Sequence, residues 1–335
     1  MATWILRTGT KARGFRYTYD NGRSVSPAIR RRIDGLRIPP AWRDVHIAAS
    51  PRAPIQAWGF DARGRRQYRY HENAVARREL RKHYRVRQLA RDLPRLRARL
   101  RRDSRRRGFS REKVAAGVLR LIAEGFFRVG SDRYARENRT FGITTLRKSH
   151  VEAHPQYVVF AYHGKGRKRH RQMVVSAELA GFVRQTMTTP GTRLFRYSVD
   201  GAWFDLRADD VNEYLREAAG FPYTAKDLRT WGATLRAATI LAELGAPASE
   251  HEARKNAVTT VRLVAAELGN TPAICRASYV HPEVLGRYVE AREVIRLGRG
   301  ARRRAGTLEH TPEERALISF LNLHFPERRR RRRAT

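Results

Sequence analysis

The chain has 335 residues, enough for two domains or one large one and for burying about three quarters of its unfolded surface. Lys and Arg number 70 against 32 Asp and Glu, a formal net charge of +38 that repels itself on a folded body and calls for an anionic partner, nucleic acid first. With 41% hydrophobic residues it is no disordered basic tail; no apolar run nears the roughly 20 residues of a membrane span, and the single cysteine, Cys275, excludes an intrachain disulfide framework and a thiolate-rich zinc site.

Residues 1–76 read as a β-rich domain. Short strand-type runs, Thr3 to Leu6, Phe15 to Tyr19 and Ile55 to Phe60, are broken by Asp20-Asn21-Gly22, Pro39-Pro40 and Asp61-Ala62-Arg63-Gly64. From about residue 75 the period turns helical, and residues 77–109 read as a basic, solvated helical segment followed by a charged connector. A larger domain spans 110–300. Ser110 caps a helix whose apolar positions Val114, Val118, Leu121, Ile122 and Phe126 share a face, and Gly130 is the stop signal.

Tyr157 to Ala161-Tyr162 and Gln172 to Val175 flank His163-Gly164-Lys165-Gly166-Arg167 as a β-hairpin with lysine at its turn. Helices follow near 177–188, 209–219, 225–244 and 250–268, the last three closed by Gly220, Gly245 and Gly269. Residues 301–335 hold a terminal helix, announced by the capping box Thr311-Pro312-Glu313-Glu314, and a basic tail with the run Arg328 to Arg333. The fold class expected is therefore α+β: a small antiparallel β-rich N-terminal domain plus a larger, mainly α-helical domain carrying a small β-hairpin insertion.

Common catalytic signatures are missing from the sequence. It has no Walker lysine loop, no His-Glu-x-x-His and no Asp-x-Asp, and His150 and His154, four apart but followed by Pro155 and without a carboxylate pair, make poor metal ligands. Phe126-Phe127-Arg128-Val129-Gly130 instead sets an arginine beside two buried-type aromatics. Lys226-Asp227-Leu228-Arg229 sets a lysine and an arginine on one face of an otherwise apolar helix. Leu268 to Tyr279 is a helix stop, a polar turn and a short helix ending in tyrosine. Each segment alone has a structural reading: a snorkelling arginine, a salt bridge, a turn, a core tyrosine. Together they supply nucleophile, charge clamp and acid for phosphoryl transfer without a metal.

In this order the motifs resemble the type IB DNA topoisomerases of the compact poxviral and bacterial kind, over about residues 30 to 300. The carrying segments are Arg37-Ile38-Pro39-Pro40-Ala41-Trp42, Asp61 to His71, Phe127-Arg128-Val129-Gly130 with Tyr134 and Glu137-Asn138, Gly164-Lys165, Lys226-Asp227-Leu228-Arg229-Thr230, and Gly269 to Tyr279. The resemblance implies a two-lobed clamp on duplex DNA that needs no ATP, no metal and no other cofactor. Tyr279 would attack a phosphodiester and retain the 3′ phosphate. Arg128 and Arg229 carry forked donors suited to the nonbridging oxygens, and Lys165 is the candidate acid for the leaving 5′ oxygen. Lys226 supports the leaving group or binds DNA.

Asn270 stands where the poxviral enzymes place histidine; bacterial relatives carry asparagine there, which donates a hydrogen bond but holds no charge. Arg65, Arg66, Gln67, Tyr68 and Tyr70 combine phosphate anchors with groups able to meet base edges, and the family places this segment in the major groove. Tyr134 is a further phosphate contact. The partner expected is double-stranded DNA, with no nucleotide and no membrane; the protein is expected to be a monomer, cytoplasmic and nucleoid-associated. A tyrosine recombinase shares the arginine, lysine and tyrosine chemistry, but its N-terminal half is usually helical. A non-catalytic architectural DNA-binding protein would equally suit the charge.

Overall fold

β-branched and aromatic residues alternating with polar ones between glycine and proline turns build the first part of the chain as an antiparallel sheet. In the computed structural model, which describes residues 4–296 and 308–325, its strands are β1 (Trp4–Thr10), β2 (Gly14–Tyr19), β3 (Arg43–Ala48), β4 (Ile55–Phe60) and β5 (Arg66–Tyr70), in the order β2-β1-β3-β4-β5. Helix α1 (Pro27–Gly35), capped by Ser26 with proline in its first turn, contributes Ile33 to a core with Ile5, Tyr17, Val45, Ile47 and Ala57. Arg32 ties it down through Gln56 Oε1 at 2.8 Å and the Ala48 carbonyl at 2.6 Å. The sequence reading foresaw three strands here; β3, β5 and α1 are additions.

The chain divides into two compact units, Met1–Lys82 and His83–Thr335, and the division falls inside a continuous helix, α2 (Glu72–Ser104). The expectation of a solvated helix and connector over 77–109 is corrected here. Val86, Leu89, Ala90, Leu93, Leu96 and Leu100 recur at helical spacing and are buried in the core of the second unit. The arginines between them hid this stripe from a reading of charge alone, because long cationic side chains leave a helix surface while their stems stay on it. Pro94 lies within the helix and cannot donate to the Ala90 carbonyl; His310 Nε2 meets that oxygen at 2.7 Å instead.

The second unit is mainly helical: α3 (Arg111–Gly125), α4 (Asp132–Asn138), α5 (Ala177–Met187), α6 (Ala208–Ala219), α7 (Ala225–Leu244), α8 (Glu250–Leu268), α9 (Pro272–Ser278), α10 (Pro282–Glu290) and α11 (Pro312–His324). The expected hairpin is part of a three-stranded sheet, β6 (Val151–Ala153), β7 (Tyr157–His163) and β8 (Arg169–Val175), and a second hairpin, β9 (Arg196–Val199) with β10 (Ala202–Asp205), went unforeseen. This is the α+β architecture expected. Ser110, Ser176, Ser249, Thr271 and Thr311 each accept a backbone N–H at a helix start, and Gly220, Gly245 and Gly269 close their helices with positive φ. The run Arg328 to Arg333 lies outside the described residues.

One helix end departs from expectation. Helix α3 stops at Gly125, and Phe126 takes the left-handed cap at φ 55°, a conformation most side chains avoid. Its ring lies against Gly232 of α7, where any Cβ would come within 2.4 Å of Phe126 Cε1. Gly130 is not a stop signal. It marks a backbone crossing, where a Cβ on Gly142 would lie 2.5 Å from the Gly130 Cα, and Ile143 and Thr144 donate to the carbonyls of Arg128 and Val129 at 2.8 Å.

Candidate active site

Three chain segments that end helices or strands converge in the second unit. The first follows α3 and carries Arg128; the second follows α8 and carries Asn270; the third is the turn between β7 and β8 and carries Lys165. Helix α7 runs alongside with Arg229 on its buried face, 3% exposed. Removing a guanidinium from water costs several kcal/mol unless its donors are satisfied. Arg229 meets that condition: Nε donates to the Phe126 carbonyl at 2.9 Å, Nη2 to the Leu268 carbonyl at 3.1 Å and Nη1 to the Tyr279 hydroxyl at 3.0 Å. Arg128 Nη2 donates to the Gly269 carbonyl at 3.0 Å and to Asn270 Oδ1.

The carbonyls that hold both arginines belong to the ends of α3 and α8, where the negative pole of the helix dipole favours a cation. Neither arginine has a carboxylate within salt-bridge distance among the described residues, whereas Arg85, Arg97, Arg99, Arg120 and Arg196 each do. Burial holds the Arg229 guanidinium below its usual pKa, and the charge of Arg128 acts in the same direction. Asn270 Nδ2 is buried and has no hydrogen-bond partner among the described residues. Two cations without a counter-charge and one unused amide donor form a site prepared for an anion.

Tyr279 follows α9, which Thr271 and Pro272 start immediately after the α8 stop. Its ring is 8% exposed, with the Arg229 Cζ 5.0 Å from its centre and the Lys226 Nζ 5.5 Å from it, so the lysine and arginine that share one face of α7 both reach the tyrosine. Thr234 fixes the backbone on either side, donating to the Tyr279 carbonyl at 3.2 Å and accepting from His281 N at 3.1 Å. Cys275 is buried one turn earlier, and burial pushes its thiol up to about 11, which leaves it inert. Among the described residues no group of three or more His, Cys, Asp or Glu could hold a metal ion.

Lys165 stands exposed in the β7–β8 turn, with no hydrogen bond or ion pair to other described residues. Sequence reasoning missed the groups beneath it. Tyr162 donates to Gln172 Oε1 at 2.5 Å, Gln172 passes the chain on to the Gly125 carbonyl at 2.6 Å, and the His170 ring stacks on Tyr162 with centroids 5.2 Å apart. Burial, then the charges of Arg128, Arg229 and Lys168, hold His170 below its usual pKa, so the imidazole is neutral at physiological pH. Tyr162 ended the first expected strand run and His170 lay ahead of the second, so neither was singled out by the sequence pattern. Tyr134 lies on α4, exposed, under the Arg133 guanidinium at 5.5 Å.

In the first unit the expected DNA-contact segment is the edge strand β5 with the turn before it. Strand alternation divides its residues. Arg66, Tyr68 and Tyr70 share the outer face with Trp4, His46 and Trp58: His46 stacks on Trp58 at 4.0 Å, Arg66 lies 3.8 Å over Trp58, and Tyr68 stacks on Tyr70 at 5.7 Å. Gln67 points to the opposite face and donates to Asp61 Oδ2 at 3.0 Å. Arg65 pairs with the same carboxylate at 2.7 Å and, chiefly through that hydrogen bond, lowers Asp61 to about 2. The side chains of these five residues are therefore divided, with Arg66, Tyr68 and Tyr70 on one face of the sheet and Gln67 on the other. Trp4, His46 and Trp58, which sequence reasoning did not single out, share the face of Arg66, Tyr68 and Tyr70.

One buried and one half-buried arginine, neither with an acid among the described residues, an amide, and a tyrosine hydroxyl on the buried guanidinium make up a site suited to a phosphate group. The model of the eukaryotic DNA topoisomerase I catalytic core matches residues 71–297, and that of the bacterial DNA topoisomerase IB N-terminal domain matches residues 14–61. The chain is 33% identical over 272 residues to DNA topoisomerase 1B of Acanthamoeba polyphaga mimivirus, covering 79% of this chain and 81% of that protein. It is 23% identical over 234 residues to DNA topoisomerase I of Monkeypox virus, covering 68% and 70%. A solved structure of the XerH site-specific recombinase bound to a palindromic difH substrate aligns with a TM-score of 0.37 at 15% identity, covering 59% of this chain and 51% of that one. The chain belongs to the compact type IB DNA topoisomerases, isomerases whose substrate is DNA.

Proposed function

We propose that the protein relaxes supercoiled DNA by cutting one strand through a 3′-phosphotyrosyl intermediate and rejoining it, with no need of ATP or a metal ion. The observation that supports this most is the Tyr279 hydroxyl, 3.0 Å from a buried guanidinium that has no acid to neutralise it among the described residues. Tyr279 Oη attacks phosphorus and loses its proton, the bond from phosphorus to the 5′ oxygen breaks, and Lys165 gives that oxygen a proton. The products are a phosphotyrosine on the 3′ side and a free 5′ hydroxyl. Arg128, Arg229 and the Asn270 amide share the charge that grows on the nonbridging oxygens. Lys226, beside the Tyr279 ring, adds positive charge next to the nucleophile.

Because one phosphodiester replaces another, the step is close to isoenergetic, and release of superhelical strain drives the net reaction. Arg65, Arg66, Tyr68, Tyr70 and Tyr134 bind the duplex, with Gln67 acting through Asp61. Supercoiled plasmid incubated with EDTA and without ATP should give a ladder of relaxed topoisomers. An unchanged linking number would reduce the protein to a DNA binder, and dependence on paired cognate sites would mark it as a recombinase.

A further inference from the structure

We propose that His170 is a positioning residue for this reaction, a wedge that sets the turn carrying Lys165 against the turn carrying Asn270. The inference rests on the reading of Lys165 as the acid. Its basis is the space on either side of the imidazole. A Cβ on Gly164, the residue before Lys165, would lie 2.5 Å from His170 Cδ2 and Nε2; a Cβ on Gly269, the residue before Asn270, would lie 2.0 Å from Cε1. Both turns thus close on the ring as tightly as a hydrogen-only residue allows.

The ring itself is held on a third side. Tyr162 stacks on it at an interplanar angle of 12°, and Tyr162 is fixed through Gln172 to the end of α3, two residues before Phe127 and three before Arg128. Movement of the imidazole would therefore shift the acid relative to the Arg128 and Asn270 pair. His170 Nε2 is buried without a hydrogen-bond partner among the described residues, a cost accepted in a group kept for its shape and place. A neutral ring also adds no repulsion to Arg128, Arg229 and Lys168, which a lysine or arginine in this place would do.

Single-turnover cleavage separates this role from general support of the fold. One DNA substrate carries the ordinary phosphodiester, and a second carries a 5′-bridging sulfur whose thiolate leaves without protonation. His170→Ala should slow the first at least tenfold and the second less than threefold, the pattern also expected of Lys165→Ala, with DNA affinity within twofold. A displacement of about 1 Å is enough for losses of that order. Gly164 has φ −93° and ψ −163°, open to alanine, so Gly164→Ala displaces the ring without altering it. It should give the same pattern, and Gly164→Ala combined with His170→Ala should be no slower than His170→Ala alone.

Equal slowing on both substrates, cleavage of the phosphodiester at the wild-type rate, or additive losses in the double variant would overturn the wedge. If the wild-type protein forms no covalent complex on either substrate, the transesterase reading falls and this inference with it. A wild type that cleaves beside an unimpaired His170→Ala refutes the inference alone.

Discussion

Replacing Arg229 by lysine keeps the charge and removes the fork. In the structure one guanidinium reaches the Phe126 carbonyl, the Leu268 carbonyl and the Tyr279 hydroxyl with three separate nitrogens. A lysine ammonium is a point donor that cannot span these directions from the same position on α7. At least one buried carbonyl then loses its partner, at about 1–3 kcal/mol. For a unit of this size that is about 2–12 °C in Tm. The loss in catalysis is larger, because a nonbridging oxygen in the transition state forfeits a preplaced donor, worth about 2.7–4 kcal/mol or about 10²–10³ in rate. DNA affinity, which follows the retained charge, should change less than about threefold. Single-turnover cleavage, filter binding and thermal unfolding of Arg229→Lys measure the three quantities. Cleavage within threefold of wild type would refute the assignment of Arg229 to the clamp.

Tyr279→Phe should form no covalent adduct on denaturing gels while binding duplex DNA as before; because Arg229 Nη1 then loses its protein partner, stability should also fall by about 1–3 kcal/mol. Gly232→Ala places a Cβ 2.4 Å from Phe126 Cε1, and since the Phe126 carbonyl holds Arg229, both stability, by about 1–3 kcal/mol, and cleavage rate should drop. Glu178 accepts from Arg120 at 2.8 Å and 2.9 Å and from Arg105 at 2.8 Å, and the Arg120 hydrogen bonds chiefly lower its carboxyl to about 2. The unfolded chain binds more protons than the folded one between pH 4.5 and about 2, so this contribution is complete above pH 4.5 and fades as pH falls towards 2. With solvent screening, Glu178→Gln should cost about 1–2 kcal/mol in urea melts at pH 7 and nothing near pH 2. Arg66→Ala should reduce the slope of log affinity against log salt by about 1 in anisotropy titrations, whereas Gln67→Ala should leave that slope alone, because its amide faces Asp61 on the other side of the sheet.

Local rules were legible wherever one residue acts on its neighbours. Ser110 and Thr311 announced helix starts, Gly220 and Gly269 announced ends, and Ser249 and Ser26-Pro27 carried the same start signal for α8 and α1 although it went unused. Charge misled over α2, where arginines at most exposed positions masked a stripe of leucines that packs into the core. Phe126 misled because it takes a left-handed cap whose ring packs on a glycine more than a hundred residues away in the chain.

The identity and order of the groups proposed to react could be read from the sequence: two arginines, a lysine, an asparagine and a late tyrosine are recognisable as residue types with no coordinates. Tertiary structure alone decided which arginines are left without acids, since that depends on carbonyls of Phe126, Leu268 and Gly269 brought together from distant segments. It also decided that His170 belongs with them. A strand period reports only the face a side chain takes, and the two glycines that enclose this ring meet it through packing that no local pattern encodes.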